Sequence, residues 1–375
     1  MTAHQHQMFG GQFNGRRVLV TGHSGFKGGW MSLWLQRLGA QVTGLSLPPE
    51  PGPCFYDSCD LAQATDSRFA DIREPDDLAS TLDGVDAEVL FHMAAQPLVR
   101  KSYREPAETF ATNVQGTTNV LELARKMPSL KAVIVITSDK CYDNREWVWG
   151  YRENDPLGGK DPYSASKAAT ELVAQSYAHS FFSDPSGPQL ATVRAGNVFG
   201  GGDWGEDRLV PDIIRAWANG EPVVIRNPAS VRPWQHVLEP VSGYLRVAEK
   251  MLTDGAPYAG AWNFGPDVSS TVDVRQLADM IQRAWGDGAP MFSFPDQITD
   301  APHEAGILRL DSTKAQTRLN WRPQLTLQGA INLTADWYKA HAAGKNMAQV
   351  TATQIEYFET LTTSETHDAT PVAAQ

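Results

Sequence analysis

The sequence predicts an α/β chain: a doubly wound parallel sheet carrying a smaller C-terminal α/β domain. Three observations lead there. Short apolar runs alternate with helix-length amphipathic stretches across residues 15–195. The first run, Val18-Leu19-Val20, enters a helical stretch through the glycine-rich string TGHSGFKG at Thr21 to Gly28. The alternation then stops at GGGDWGEDR, Gly200 to Arg208, where loop-like sequence begins.

Strands are expected at Arg17–Thr21, Gln41–Leu45, Val89–His92, Ala132–Thr137 and Leu190–Arg194, with helices at Pro106–Lys126 and Tyr163–Ser180 between them. Helical crossovers make such strands parallel and cover both faces of the sheet. Ligands of these sheets lie beyond the carboxyl ends of the strands, where Gly22, Ala94, Ser138 and Asn197 all fall. Further on, Leu209–Asn219 and Val237–Leu252 read as helices, and Ala261–Phe264 as a strand returning to the main sheet. Ser269–Trp285, Ala315–Leu319 and Leu327–Ala342 complete the smaller domain. The expected division is residues 15–195, with 235–265 returning, for a dinucleotide-binding domain, and 196–234 with 266–345 for a substrate domain. Residues 1–14 and 362–375 are expected to be disordered tails, the second being rich in Thr and Ala without apolar periodicity.

Composition excludes several classes. The chain has 375 residues, 42% hydrophobic and 20% charged, enough for a large core. Its net charge of −11 lacks the basic footprint that nucleic acid or an anionic membrane requires. No apolar run reaches the roughly 18 residues of a membrane span. The start, MTAHQHQMFGGQFN, has no basic and apolar leader pattern, so a cytoplasmic location is expected. Cys54, Cys59 and Cys141 are an odd set read as free thiols, and no residue cluster has metal-ligand spacing.

Two motifs carry chemistry. Gly22, Gly25 and Gly28 allow a sharp turn and close approach of backbone to a pyrophosphate, which the free N–H groups of the following helix then face. Tyr163 and Lys167, four apart on a helix, share one face a turn apart. His23 and Lys27 inside the loop either contact adenosine ribose or phosphate, or face solvent.

The Gly-x-x-Gly-x-x-Gly spacing followed by YSASK resembles the extended short-chain dehydrogenase/reductase family, the NAD-dependent epimerases and dehydratases. The resemblance implies a Rossmann-type fold with NAD as cofactor. It assigns Phe26 and Lys27 to the cradle with the three glycines, and Asp71 and Ile72 of ADIRE to the adenine. It places Ala94, Ala95 and Gln96 of HMAAQ along the cofactor, and Asn113 behind the catalytic groups. One departure stands out: Gly44-Leu45-Ser46-Leu47 offers neither an acid for the ribose diol nor an arginine for a 2′-phosphate, which leaves NADP open.

The string TSDKCY narrows the branch. Sugar-nucleotide 4,6-dehydratases carry an acid/base pair after the catalytic Ser/Thr, and Asp139-Lys140 resembles the branch that acts on CDP-glucose. AAQPLVR, RAGNVFGGGDW, DRLVPDIIRA, RPWQHVLEP and WNFGP extend the likeness over residues 15 to about 340. The implied reaction converts CDP-D-glucose to CDP-4-keto-6-deoxy-D-glucose and water by internal hydride transfer. Tyr163, supported by Lys167, would take the 4-hydroxyl proton and Ser138 would bind the 4-oxygen. Asp139 would protonate the leaving 6-hydroxyl and Lys140 would remove the carbon 5 proton.

Asn197, Arg208, Arg232 and Arg309 are the candidates for gripping the substrate, the alternative for each arginine being a structural ion pair. Trp204 and Trp234 either stack on a base or pack. The preference for cytosine rests on resemblance alone. A 4-epimerase or 4-reductase would need neither Asp139 nor Lys140, and a non-catalytic NAD sensor on this fold is a third reading. Relatives pair the helices expected at 106–126 and 163–180 between subunits, implying a homodimer or homotetramer with Val114, Val120, Leu121 and Leu172 on apolar faces.

Overall fold

The computed structural model describes residues 8–225, 227–286, 289, 292–293 and 307–368. Six strands build the sheet in chain order: β1 (Arg17–Thr21), β2 (Gln41–Ser46), β3 (Asp66–Phe69), β4 (Val89–His92), β5 (Ala132–Ile136) and β6 (Gln189–Ala195). The strand Gly260–Phe264 returns, as expected, to pair in parallel with β6, giving a seven-stranded sheet. The spatial order is Gly260–Phe264, β6, β5, β4, β1, β2, β3, every pair parallel. β1 lies between β4 and β2, so the winding reverses at its carboxyl end and opens a crevice there.

The pleat sorts side chains onto two cores. Val18 and Val20 of β1 join one buried cluster with Trp30, Trp34 and Trp262, whereas Leu19 joins the opposite cluster with Leu45, Leu90 and Val133. β5, Ala-Val-Ile-Val-Ile, is buried at all five positions, as a central parallel strand requires. β3 was not expected: Asp-Ser-Arg-Phe is an edge strand without a buried position.

The expected helix over 106–126 is interrupted. Pro106–Phe110 and Thr117–Ala124 are joined by a π-bulge at Ala111–Gly116. Within the bulge the Asn113 carbonyl accepts from the hydroxyls of Thr117, at 2.7 Å, and Thr170, at 2.8 Å. Such bulges often mark functional positions.

Three further expectations are corrected. Residues 8–14 are not a disordered tail, because Met8, Phe9 and Phe13 are buried and Phe9 packs edge-on against Trp34 at 5.9 Å. Residues 362–368 also have structure, as the end of a helix spanning Met347–Asp368; residues 1–7 and 369–375 lie outside the described ones. That helix buries Ile355 and Phe358, and its buried Glu359 accepts from Trp34 Nε1 at 2.9 Å and Arg37 Nε at 3.1 Å. Val120 and Leu121 are likewise not on a free face, since they belong to the core beneath the sheet, while Leu172 is 57% exposed. Among the described residues no helix is long and apolar enough to cross a membrane.

Candidate active site

The glycine loop is shaped for close approach. Gly22 has φ +76°, and a Cβ there would stand 2.7 Å from Ala94 N. A Cβ on Gly28 would stand 2.1 Å from Gly22 O. Gly25 caps the helix α1 (Phe26–Arg37) without a side chain, so the first N–H groups of α1 remain available to an anion. This cradle fits the pyrophosphate of a dinucleotide.

His23 takes neither of its expected places. Its ring is buried between Tyr56 and Phe69, with centroids at 5.7 and 5.9 Å, and Nε2 lies 3.0 Å from Ser67 Oγ. Burial pushes its pKa down to about 4, so it is a neutral packing residue. Gly44 makes room for it, since a Cβ there would stand 2.3 Å from the ring. Lys27 reaches toward the catalytic centre instead of facing open solvent. Burial, followed by the nearby charges of Arg208 and Lys167, lowers its pKa to about 8, while Asp139 and Asp203 oppose the shift.

Asp71 is held low chiefly by hydrogen bonds from the Arg73 side chain, with Nη2 at 2.6 Å and Nε at 2.9 Å from Oδ2. Ile72 is buried against Gly116, where a Cβ would stand 2.6 Å from its Cδ1. The turn after β4 is fixed from two sides. Thr21 Oγ1 accepts from the Ala94 N–H at 3.2 Å, and Asn113 Oδ1 accepts from the Gln96 N–H at 2.8 Å. Ala95 lies half-buried between them. Asn113 Nδ2 also donates to Gln96 O at 3.1 Å and to Ser166 Oγ at 2.8 Å, clamping this turn to the helix that carries Tyr163.

Ser138 follows β5 and caps a single 3₁₀ turn, Asp139–Cys141. Its Oγ accepts from the Lys140 N–H at 3.2 Å and donates to Asp139 Oδ1 at 2.9 Å. Asp139 is buried and Lys140 half-exposed. Tyr163 and Lys167 ride on the helix Pro162–Phe181, whose Asp161 cap accepts from the Ser164 N–H at 3.0 Å. Burial drives the Tyr163 phenol up to about 12, against the lowering effect of the nearby Ser138 hydroxyl, and drives Lys167 down to about 8. Lys167 Nζ donates to Ile136 O at 3.4 Å.

Several supporting residues carry no motif. Glu171 and Arg194 form a buried bidentate pair, with Arg194 Nη2 and Nε at 2.8 and 2.9 Å from the carboxylate, and Arg194 Nη1 also donates to Tyr142 Oη at 2.6 Å. Their only sequence signal is a glutamate four residues beyond Lys167 and an arginine inside a buried strand.

The arginines divide. Arg208 is an ion-pair arginine, with Nη1 at 2.9 Å from Asp203 Oδ2, yet its side chain is one-third exposed and its charge is felt at both Tyr163 and Lys27. Arg232 donates to Val231 O at 3.0 Å. Arg309 has a buried Nε without a hydrogen-bond partner among the described residues. Asn197 lies in the bend between β6 and the short strand Val198–Phe199, with φ +45°. Trp204 packs on Tyr338 and Trp234 on Phe199, so both tryptophans take the packing role. Among the described residues no three His, Cys, Asp or Glu side chains gather as a metal site.

Residues 18–263 match the sequence profile of the NAD dependent epimerase/dehydratase family. A CDP-glucose 4,6-dehydratase of Salmonella typhimurium is 47% identical over 355 residues, covering 94% of this chain and 98% of that one. A UDP-glucose 4-epimerase of Mycolicibacterium smegmatis is 28% identical, covering 86% and 98%. Among solved structures, a dTDP-glucose 4,6-dehydratase double mutant from Streptomyces venezuelae, with NAD bound, superposes with a TM-score of 0.72 at 24% identity, covering 88% and 99%; at that identity the likeness concerns the fold. By profile, by relative and by the two motifs that meet at the sheet's carboxyl edge, this chain belongs to the NAD-dependent epimerase/dehydratase family.

Proposed function

We propose that the protein is a CDP-glucose 4,6-dehydratase that uses NAD and forms CDP-4-keto-6-deoxy-glucose and water. The observation that carries this reading is Asp139-Lys140 directly after Ser138, with Asp139 hydrogen-bonded to Ser138 and in the electrostatic field of Tyr163. A 4-epimerase needs no such pair, and the 47% identity to the Salmonella typhimurium enzyme supports the same choice.

The cradle of Gly22, Gly25 and Gly28, with Phe26, Lys27, Asp71, Ile72, Ala94, Ala95, Gln96 and Asn113 around it, would hold NAD. NAD supplies a hydride acceptor that is restored within each turnover. Tyr163 takes the proton of the sugar 4-hydroxyl while Ser138 orients the 4-oxygen. In the protein alone the phenol keeps its proton near neutrality; Ser138 and Arg208 both draw its pKa down, and Lys167 stands one helical turn away. The 4-ketone acidifies carbon 5, whose proton passes to Lys140, and Asp139 protonates the departing 6-hydroxyl. Asn197, Arg208, Arg232 and Arg309 hold the nucleotide diphosphate, the guanidinium forks matching its oxygens.

In this reading residues 15–195 and 235–265 form the dinucleotide half, and 196–234 with 266–345 the substrate half. The protein works in the cytoplasm as a homodimer or dimer of dimers, joined through the faces that expose Phe110, Leu172 and Phe181. The test is incubation of the purified protein with NAD and CDP-, UDP-, dTDP- and GDP-glucose. Loss of one water from CDP-glucose by mass spectrometry is the expected result; an isomer of unchanged mass would replace this reading with epimerisation.

A further inference from the structure

Between the two catalytic motifs the chain makes an excursion, residues 142–158, that no step above uses. Its ends are tied to the catalytic turn: the Gly158 N–H donates to Cys141 O at 2.8 Å, and the Asp143 N–H to Pro156 O at 2.9 Å. Its middle is tied to the segment 307–311, which carries Arg309. The Tyr151 N–H donates to Arg309 O, and the Asp311 N–H to Tyr151 O, both at 2.8 Å, a parallel bridge centred on Leu310. Asn144 Nδ2 donates to Ile307 O at 3.1 Å.

The excursion is internally braced. The Tyr151 hydroxyl donates to Asn144 Oδ1 at 3.0 Å and accepts from the Arg145 N–H at 2.6 Å. Its ring is stacked between Tyr142 and Trp147, with centroids at 5.0 and 5.2 Å. Gly150 permits the contact, because a Cβ there would stand 2.7 Å from Asp311 N. Asn263, at the end of the returning strand, closes the loop: its Nδ2 donates to Tyr151 O and its Oδ1 accepts from the Tyr142 hydroxyl, both at 2.8 Å. Arg309 is therefore fixed through its backbone, while its Nε is buried without a protein partner among the described residues. The residue as a whole is half-exposed, and a guanidinium fork suits a phosphate oxyanion.

We propose that Asn144 and Tyr151 are positioning residues that hold Arg309 in place for the diphosphate of the nucleotide sugar, and so tie substrate grip to the catalytic turn. This rests on the reading of Arg309 as a diphosphate ligand. The excursion is a substrate clamp built into the chain between Lys140 and Tyr163. Its loss weakens nucleotide binding and leaves dinucleotide binding and turnover at saturation nearly intact.

The experiment measures the dissociation constants of CDP and of NAD by calorimetry, and kcat and KM for CDP-glucose, in the unaltered protein, Asn144→Asp, Arg309→Met and the double variant. Asn144→Asp keeps the acceptor for Tyr151 and removes the donor to Ile307. It should weaken CDP binding and raise KM about tenfold, equivalent to about 1.4 kcal/mol, with kcat and NAD binding within about twofold. The double variant should bind CDP no worse than Arg309→Met alone. Tyr151→Phe, which keeps the ring stack and removes only the hydroxyl, is the second route if Asn144→Asp does not fold.

UDP and dTDP run in parallel. Tighter binding of either by the unaltered protein means that the cytosine reading fails, and the cycle then proceeds with that diphosphate. Unchanged diphosphate binding in Asn144→Asp or in Arg309→Met, additive losses in the double variant, or a parallel loss of NAD affinity would each overturn the clamp.

Discussion

The carboxylate of Asp139 occupies the space that Gly196 leaves: a Cβ on that glycine would stand 1.9 Å from Oδ2. The end of β6 thus sets where the acid after β5 can sit. Gly196→Ala should displace the carboxylate, lowering kcat by about tenfold or more while NAD binding is kept. Unaltered steady-state turnover would show that Asp139 tolerates the shift and is not held for catalysis.

Tyr163→Phe keeps the ring, which is buried, and removes the oxygen. Turnover should fall by about 10²- to 10⁴-fold, the range of a lost acid/base group, with CDP-glucose affinity nearly unchanged by calorimetry. An equal loss of affinity would assign the residue to binding.

Lys140 is half-exposed at the rim of the same turn. Lys140→Met should stop exchange of the carbon 5 hydrogen with solvent deuterium, read by NMR of product and recovered substrate, because the elimination step loses its base. Labelling at the unaltered rate would move that role to another group.

Three buried histidines make the fold acid-labile. Burial lowers the pKa of His23 to about 4, and those of His92 and His236 to about 3. Below about pH 6.5 the unfolded chain takes up protons at these sites and the folded protein does not. Their stabilising effect is complete above about 6.5 and falls by about 1.4 kcal/mol per pH unit for each group down to its folded value. Urea unfolding at about pH 7 and pH 5 should show the loss, and His236→Asn should make the slope shallower; a flat profile would contradict it.

Glu359 anchors the last helix to α1 through Trp34 and Arg37. Glu359→Ala leaves an indole N–H and a guanidinium without their acceptor, at a cost of about 2 kcal/mol. Thermal unfolding should report it; an unchanged midpoint would mean that the helix is held by apolar contacts alone.

The sheet was legible because β1, β4, β5 and β6 are apolar runs separated by helical periods. The returning strand was legible for the same reason, Trp262 and Phe264 being fully buried. β3 was not, since an edge strand of Asp, Ser, Arg and Phe carries no apolar alternation. The π-bulge was hidden because what widens the turn is tertiary: Thr170 hydrogen-bonds to Asn113 from another helix. The last helix escaped because its core contacts, Met347, Thr351, Ile355 and Phe358, are spaced among polar residues and end in a polar stretch. In the site, Tyr163, Lys167 and the glycines were readable as local patterns. His23 was not, because Gly44, Tyr56, Ser67 and Phe69, all distant in sequence from the glycine loop, decide that its ring is enclosed.

The returning strand Gly260–Phe264 has a consequence for how the protein is made. Until residue 264 has left the ribosome, β6 presents an open hydrogen-bonding edge, and the main sheet lacks its outermost strand. At roughly 5–20 residues per second that edge waits for several seconds while the chain from residue 196 to residue 264 is synthesised. A nascent chain stalled in that interval is an aggregation hazard, and a fragment ending near residue 195 carries the same open edge. Attempts to graft the parallel sheet onto another protein must carry the segment through residue 264 with it.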